Sequence, residues 1–387
     1  MTYDFDGRTN RRRSDSLKWN QYDDDVLPMW VADMDFRAPD PVIRAMHERV
    51  DHGVFGYGWV PPDLGEVIVE RLQRLYDWQV SPEALVFLPG AVTSFNLVCH
   101  AMGAPGDGVL MQTPIYFPML WAPSGAGLTN DEMELTRLPD GSYAIDFGLF
   151  ERAITDRTRI FMLCNPHNPI GRVFRREELE QMAEICLRHR ILICSDEIHC
   201  DLVFQGSRHV PIATLAPEVA DRTITLMAPS KTFNLPGLKC SVAIVQNAEL
   251  RKKLQDTHMG LVHGVNVMGV AAAVAAYCEG QPWLDELLRY LEANLDLLVE
   301  YVGAHLPGIS MSRPEATYLA WLSCHEAGIP GKPDEFFLNE ARVAFNDGAI
   351  FGRGGEGFVR LNFGCRRSML AEALDRMKNA LLTLTHD

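Results

Sequence analysis

The sequence predicts an α/β fold: one large domain around a mostly parallel sheet, followed by a smaller α+β domain. Three observations predict it. The chain has 387 residues, too many for one small core and enough for a large unit and a smaller one. Beyond residue 80, short apolar runs alternate with stretches of helical spacing, the pattern of strand–helix units on a parallel sheet. Polar clusters follow several of these runs, at strand ends where open α/β sheets bind ligands.

In chain order, residues 1–45 are polar, then loop-like, and end near Pro39 and Pro41; they read as an arm that belongs with the smaller domain. Residues 46–287 form the expected large domain. Its buried strands are Leu85–Phe87, Val109–Gln112, Arg159–Cys164, Ile191–Ser195, Thr223–Met227 and Ser241–Val245. Between them, Glu177–Arg188 places Leu179, Met182, Ala183 and Cys186 at helical spacing. The apolar run Val267–Tyr277 is far shorter than the roughly 20 residues that cross a bilayer, so it reads as a buried helix. A helical pattern over Asp285–Val302 leads into the small domain, residues 288–387. There we expect a strand at Tyr318–Leu322, a helix near Asp334–Val343, a strand at Phe358–Phe363 and a last helix from Ser368.

Composition narrows the function classes. Hydrophobic residues make up 47% and charged residues 22%, ordinary for a soluble globular protein. Acidic residues outnumber basic ones, 51 to 36, for a net charge of −15. That argues against nucleic-acid or anionic-membrane partners, while leaving room for a local basic pocket. Nine cysteines lack CxxC spacing, which suggests reduced thiols and a cytoplasmic setting. The start, Met1-Thr2-Tyr3-Asp4, has no apolar signal-peptide stretch. No repeat, low-complexity segment or metal site is expected.

Three polar clusters carry the chemistry: Asn165-Pro166-His167-Asn168-Pro169-Ile170-Gly171, Ser195-Asp196-Glu197-Ile198-His199, and Ala228-Pro229-Ser230-Lys231-Thr232-Phe233-Asn234 running on to Lys239. Each alone is ambiguous. An Asn-Pro step is usually a turn, an Asp after a strand is often a helix cap, and a Lys there is usually solvated. Together, in this order, they resemble the pyridoxal-5′-phosphate (PLP) site of fold-type I aminotransferases, over nearly the whole chain. The resemblance implies a seven-stranded, mostly parallel sheet and PLP held by Lys231 as a Schiff base.

The residue types fit what that cofactor needs. A lysine must be neutral to attack an aldehyde, and burial or nearby positive charge lowers its pKa; Lys231 is the candidate. A carboxylate must keep the ring nitrogen protonated, and Asp196 matches that position. Asn168 matches a donor to the ring's phenolic oxygen. His199 stands where many relatives carry a tyrosine with the same task. A phosphate needs backbone N–H groups and a cation. Ala91, Val92 and Thr93, after Pro89-Gly90, match the family's cradle, with Ser230 and Lys239 as further partners. Tyr116 matches the aromatic that stacks on the ring. Tyr57 matches a tyrosine that reaches the phosphate of a neighbouring subunit, or else is an ordinary interface aromatic; a homodimer with shared sites follows from the first. Arg360, in Phe358-Val359-Arg360-Leu361-Asn362-Phe363, matches the arginine that grips the substrate's carboxylate, and its planar fork suits that task better than lysine. Arg353 reads as a loop charge.

Two segments narrow the branch. Pro28-Met29-Trp30-Val31-Ala32-Asp33-Met34-Asp35-Phe36 and Asp196-Glu197-Ile198-His199-Cys200-Asp201 resemble the MalY/PatB class of carbon–sulfur β-lyases. That class converts cystathionine and related cysteine S-conjugates to a thiol, pyruvate and ammonia. Lys231 could also serve an aminotransferase, because both reactions begin with loss of the α-proton. Phe117 follows Tyr116 where some lyases of the class have a second tyrosine. Cys200 and Cys240 read as packing thiols. A binding-only role for the fold is disfavoured by the intact set of Lys231, Asp196, Asn168 and Arg360.

Overall fold

The expected strands lie side by side in one seven-stranded sheet. In chain order they are β1 (Leu85–Leu88), β2 (Gly108–Thr113), β3 (Thr129–Glu134), β4 (Thr158–Cys164), β5 (Leu192–Asp196), β6 (Thr223–Met227) and β7 (Ser241–Ile244). Across the sheet the order is β1-β7-β6-β5-β4-β2-β3. The pairs among β2 to β6 are parallel, and β7 runs antiparallel to both of its neighbours. The computed structural model describes residues 3–384 apart from Arg8 and Arg13. Part of the expected arm (residues 1, 2, 8 and 13) and residues 385–387 of the C-terminal unit lie outside the described residues.

Strand alternation sorts side chains onto two faces. From β4, Ile160 and Met162 enter one apolar cluster, while Phe161 and Leu163 enter another. Helix Ala91–Met102 covers the first face with Phe95 and Val98; helix Arg176–Arg188 covers the second with Leu179 and Met182. Two covered faces explain why the inner strands are buried at almost every position and mostly apolar. β3 is not among the expected strands, because only Met133 of its six residues is buried and no apolar run marks it. Its charged side chains suit an edge strand, where they oppose pairing with another chain.

A third cluster joins the C-terminal segment to the arm. It is spanned by helix Gln281–His305, longer than the expected Asp285–Val302, and by the final helix Arg367–Leu384. Beside them stands a three-stranded sheet of Leu319–Ser323, Phe358–Asn362 and Asn346–Asp347. The helix expected near Asp334–Val343 differs: a turn at Pro333–Phe336 widens into a π-helical turn over Phe337–Ala341 and stops at left-handed Arg342. Val343–Ala344 then pairs with Leu27–Pro28 of the arm. The arm is also more buried than its polarity suggests. Met29 and Met34 are in the core, and Lys18, fully enclosed, reaches Asp35 at 2.8 Å. Arg11 joins this cluster through Asp33 and Asp35.

Candidate active site

Strands β2, β4, β5 and β6 end on one edge of the sheet, and the polar clusters gather there. Because β7 is antiparallel, the residues before it, Lys239 and Cys240, arrive at the same edge. The result is a cavity of about 330 Å³, within the roughly 300–1,000 Å³ usual for small-molecule sites. Ten of the expected residues line it: Ala91, Val92, Thr93, Tyr116, Asn168, Asp196, His199, Ser230, Lys231 and Lys239. Arg360 stands outside that lining but donates from Nη1 to Asn168 Oδ1 at 3.1 Å. Tyr57 is fully exposed and does not join the cavity.

One end of the cavity is built for an anion. Helix Ala91–Met102 begins after Gly90 with no side-chain cap. Its first internal bond runs from Ser94 N to Gly90 O at 3.0 Å, which leaves the N–H groups of Ala91, Val92 and Thr93 ahead of the ladder. Gly90 has φ +99, and a Cβ there would lie 3.8 Å from Lys239 Cα. This close approach brings the exposed Lys239 cation beside the helix start. Ser94 Oγ and Ser241 Oγ, 2.9 Å apart, tie the two segments together.

The other end holds the ionisable groups. Asp196 ends β5, and its Oδ1 accepts from Ile198 N at 3.2 Å. Burial raises its pKa from 3.8 to about 7, with the Glu197 charge adding to the effect. A cationic ring nitrogen alongside is the partner that would restore its charge. Lys231 follows β6, and its Nζ donates to Ala32 O at 2.6 Å. Desolvation, then the Arg360 charge, lower its pKa from 10.5 to about 8. Roughly a tenth is therefore the neutral amine at pH 7, against about one part in several thousand for a free lysine. His199 is pushed well below its usual range by burial and by the charges of Lys231 and Arg360, so it is neutral. Its buried Nδ1 has no partner. An orphaned ring nitrogen, a carboxylate that lacks a counter-cation and an uncapped helix start all face one cavity, and PLP, with acceptor oxygens on its phosphate and phenol and one ring N–H donor, fits them.

Arg360 is gripped from three sides. Besides Asn168, it donates from Nη2 to Trp30 O at 3.1 Å and to Asn346 Oδ1 at 2.7 Å, while its buried Nε has no partner. The Phe351 ring lies 4.9 Å from the guanidinium. Burial lowers its pKa to about 10, so it stays cationic at neutral pH. Phe117, beside Tyr116 at 5.2 Å between ring centres, packs on Phe351 and brings no hydroxyl to this wall. Cys200 and Cys240 are buried, and desolvation raises both thiols, Cys240 to about 12, as suits packing groups.

Sequence reasoning missed the side chains that fix the arm over the site. Asn234 Oδ1 accepts from Met34 N at 2.9 Å, and its Nδ2 donates to Met34 O and Phe36 O, both at 2.8 Å. Asn362 holds Val31 O and Asp33 O. Thr232 and Arg71 share Asp201, at 2.9 and 2.6 Å, which braces the turn after Lys231. The signal available was polar residues embedded in otherwise apolar motifs. Among the described residues, no group of three or more His, Cys, Asp or Glu could hold a metal ion. Nor is any helix among them long and apolar enough to cross a membrane.

Comparison with known proteins identifies the family. The model of the family "aminotransferase class I and II" matches residues 16–377. Cystathionine beta-lyase PatB of Bacillus subtilis (strain 168) is 40% identical, with 97% of this chain and 99% of the relative covered. The crystal structure of OvoB superposes with a TM-score of 0.93 at 46% identity, over 98% of this chain and 99% of that one. Cystalysin from Treponema denticola, which contains a pyridoxal 5′-phosphate cofactor, superposes with a TM-score of 0.96 at 30% identity, over 99% and 100%. MalY of Escherichia coli (strain K12) is 31% identical over 98% of this chain. The chain therefore belongs to the class I and II aminotransferase family, in its MalY/PatB-like branch, and its cofactor is pyridoxal 5′-phosphate.

Proposed function

We propose that this protein is a carbon–sulfur β-lyase that splits cystathionine or a related cysteine S-conjugate into a thiol, pyruvate and ammonia. The observation that carries the reading is a lysine amine with pKa lowered to about 8, in one cavity with a buried carboxylate and next to a buried arginine. The likeness to cystathionine beta-lyase PatB points the same way. When bound, PLP supplies an electron-accepting ring conjugated to the substrate's α-carbon. Asp196 would serve the ring nitrogen as its counter-charge. Neutral His199 and Asn168 would donate to the phenolic oxygen, and Tyr116 would pack against the ring. Ala91, Val92, Thr93, Ser230 and Lys239 would hold the phosphate. Arg360 takes the α-carboxylate with the N–H groups that the protein leaves free. Lys231, as the neutral amine, would accept the α-proton; the electron pair of the broken C–H bond would expel the β-thiolate, and water would hydrolyse the remaining imine to pyruvate and ammonia. A thiolate leaves readily, so the wall at Phe117 can do without a phenol.

The assembly proposed is a homodimer with shared sites. Val54, Phe55, Tyr57 and Trp59 form an exposed apolar segment, which a second copy would cover while bringing Tyr57 to its partner's phosphate. Within each subunit we propose an arm (1–45), a cofactor unit (46–287) and a C-terminal unit (288–387). The apolar cluster shared by the arm and the C-terminal helices supports grouping those two. Nine free cysteines favour a cytoplasmic setting.

Purified protein incubated with L-cystathionine and S-alkyl-cysteines, without any keto acid, tests the reading. Equal amounts of pyruvate and thiol are expected. A keto acid formed only when an amino acceptor is added would replace the lyase by an aminotransferase.

A further inference from the structure

Five consecutive main-chain carbonyls of the arm, Trp30 to Met34, each accept a hydrogen bond from a distant side chain. Arg360 serves Trp30, Asn362 serves Val31 and Asp33, and Asn234 and Arg11 serve Met34. The middle carbonyl, Ala32 O, takes two donors: Lys231 Nζ at 2.6 Å and Tyr318 Oη at 2.9 Å. Tyr318 is 1% exposed, and its ring packs edge-on to His199 at 6.1 Å. A phenol buried this deeply, with its hydroxyl spent on the same oxygen that holds the catalytic amine, calls for a reason beyond packing.

We propose that Tyr318 is a positioning residue for proton transfer by Lys231: its hydroxyl fixes the Ala32 carbonyl and occupies one of its lone pairs, so that this oxygen orients the amine without retaining it as ammonium. A carbonyl oxygen has two lone pairs. A donor on one draws charge from the oxygen and weakens the hold of the other. An ammonium gains more from a strong acceptor than a neutral amine does, so a weakened acceptor favours the neutral form. The remaining arm contacts keep Ala32 in place, so the amine meets the same oxygen at each turnover. The charged and titratable groups that act on Lys231 are Arg360, Asp33, Asp196 and neutral His199. Those acting on Tyr318 are Asp33, Arg360 and Tyr116. All of them remain when only the Tyr318 hydroxyl is removed.

This inference rests on the proposed function to the extent that Lys231 moves the α-proton. Its test is Tyr318→Phe, which keeps the ring in its slot. The full chain, stripped of cofactor, is mixed with pyridoxal phosphate across a pH series, and covalent capture on Lys231 is trapped with borohydride and counted by mass. Only the neutral amine attacks, so the capture rate reports ionisation of Lys231. The midpoint should move upward by about 0.5 pH unit, roughly threefold less neutral amine at neutral pH. In steady state, kcat should fall on the order of 3- to 10-fold with KM for the amino acid unchanged, since Arg360 is untouched. An unshifted or lowered midpoint overturns the proposal, whatever happens to the melting temperature. A wild-type chain that captures the cofactor but releases no pyruvate would count against the lyase reading alone, because the capture profile does not depend on the substrate.

Discussion

Replacing Arg360 by lysine keeps a positive charge and removes the planar fork. In the structure, three donations from the guanidinium go to Asn168 Oδ1, Trp30 O and Asn346 Oδ1, and Nε is left without a partner for a substrate carboxylate. A lysine concentrates its three donors on one nitrogen, which cannot reach acceptors spread around a guanidinium and also serve a carboxylate. Loss of one charge-assisted hydrogen bond to the substrate costs about 1.5–3 kcal/mol. That is a fall in kcat/KM on the order of 10- to 100-fold. The orphaned acceptors add a stability loss of roughly 1–3 kcal/mol. Steady-state kinetics and melting temperature are measured on the same sample, with bound cofactor quantified. The expected result is reduced kcat/KM with the cofactor retained. An unchanged kcat/KM beside a lowered melting temperature would refute the reasoning and leave Arg360 as a structural brace between the arm and the small sheet.

Other outcomes follow from the same geometry. Burial raises Asp196 from 3.8 to about 7, so the folded cofactor-free chain holds a proton that the unfolded chain releases. The stability tied to this group is full below pH 3.8 and is lost as pH climbs through about 7. Melting curves of cofactor-free wild type and Asp196→Asn should therefore diverge over that range, with only the wild type declining on this account; parallel curves would show that Asp196 is not desolvated. Sedimentation should give a particle of twice the 43.4 kDa chain mass, and Trp59→Asp should shift it toward the monomer with loss of cofactor retention. An active monomer at assay concentration would remove Tyr57 from the site. His199→Phe, which removes the ring's N–H donor, should change the absorbance of the bound cofactor and weaken its retention, whereas an unaltered spectrum would place His199 outside the cofactor's reach.

Most of the sheet was legible because its inner strands are covered on both faces and therefore consist of apolar runs. β3 was not, since one buried side chain, Met133, gives no periodic signal. The arm was misjudged for a related reason. Beside its core residues Met29 and Met34 it encloses ion pairs, Lys18 to Asp35 and Arg11 to Asp33, that look like surface charge in a sequence. At the site, Lys231, Asp196, Asn168 and the Gly90 turn sit at strand ends, where a local motif already fixes the position in an α/β fold. Arg360 was readable as a charge within an apolar strand. Tyr318, Asn234 and Asn362 were not assigned roles. Their partners are carbonyls of residues 30–36, hundreds of positions away, and a backbone acceptor leaves no trace in residue identity.

Lys231 is proposed to carry the cofactor in a cavity closed by Asp196 at one end and the Ala91–Thr93 helix start at the other. The most direct test is to load the purified chain with pyridoxal phosphate, reduce it with borohydride, digest it and locate the phosphopyridoxyl group by mass spectrometry. One label per chain is expected, on the peptide containing Lys231, with Lys239 unmodified. A label on Lys239, or none fixed to the chain at all, would contradict it.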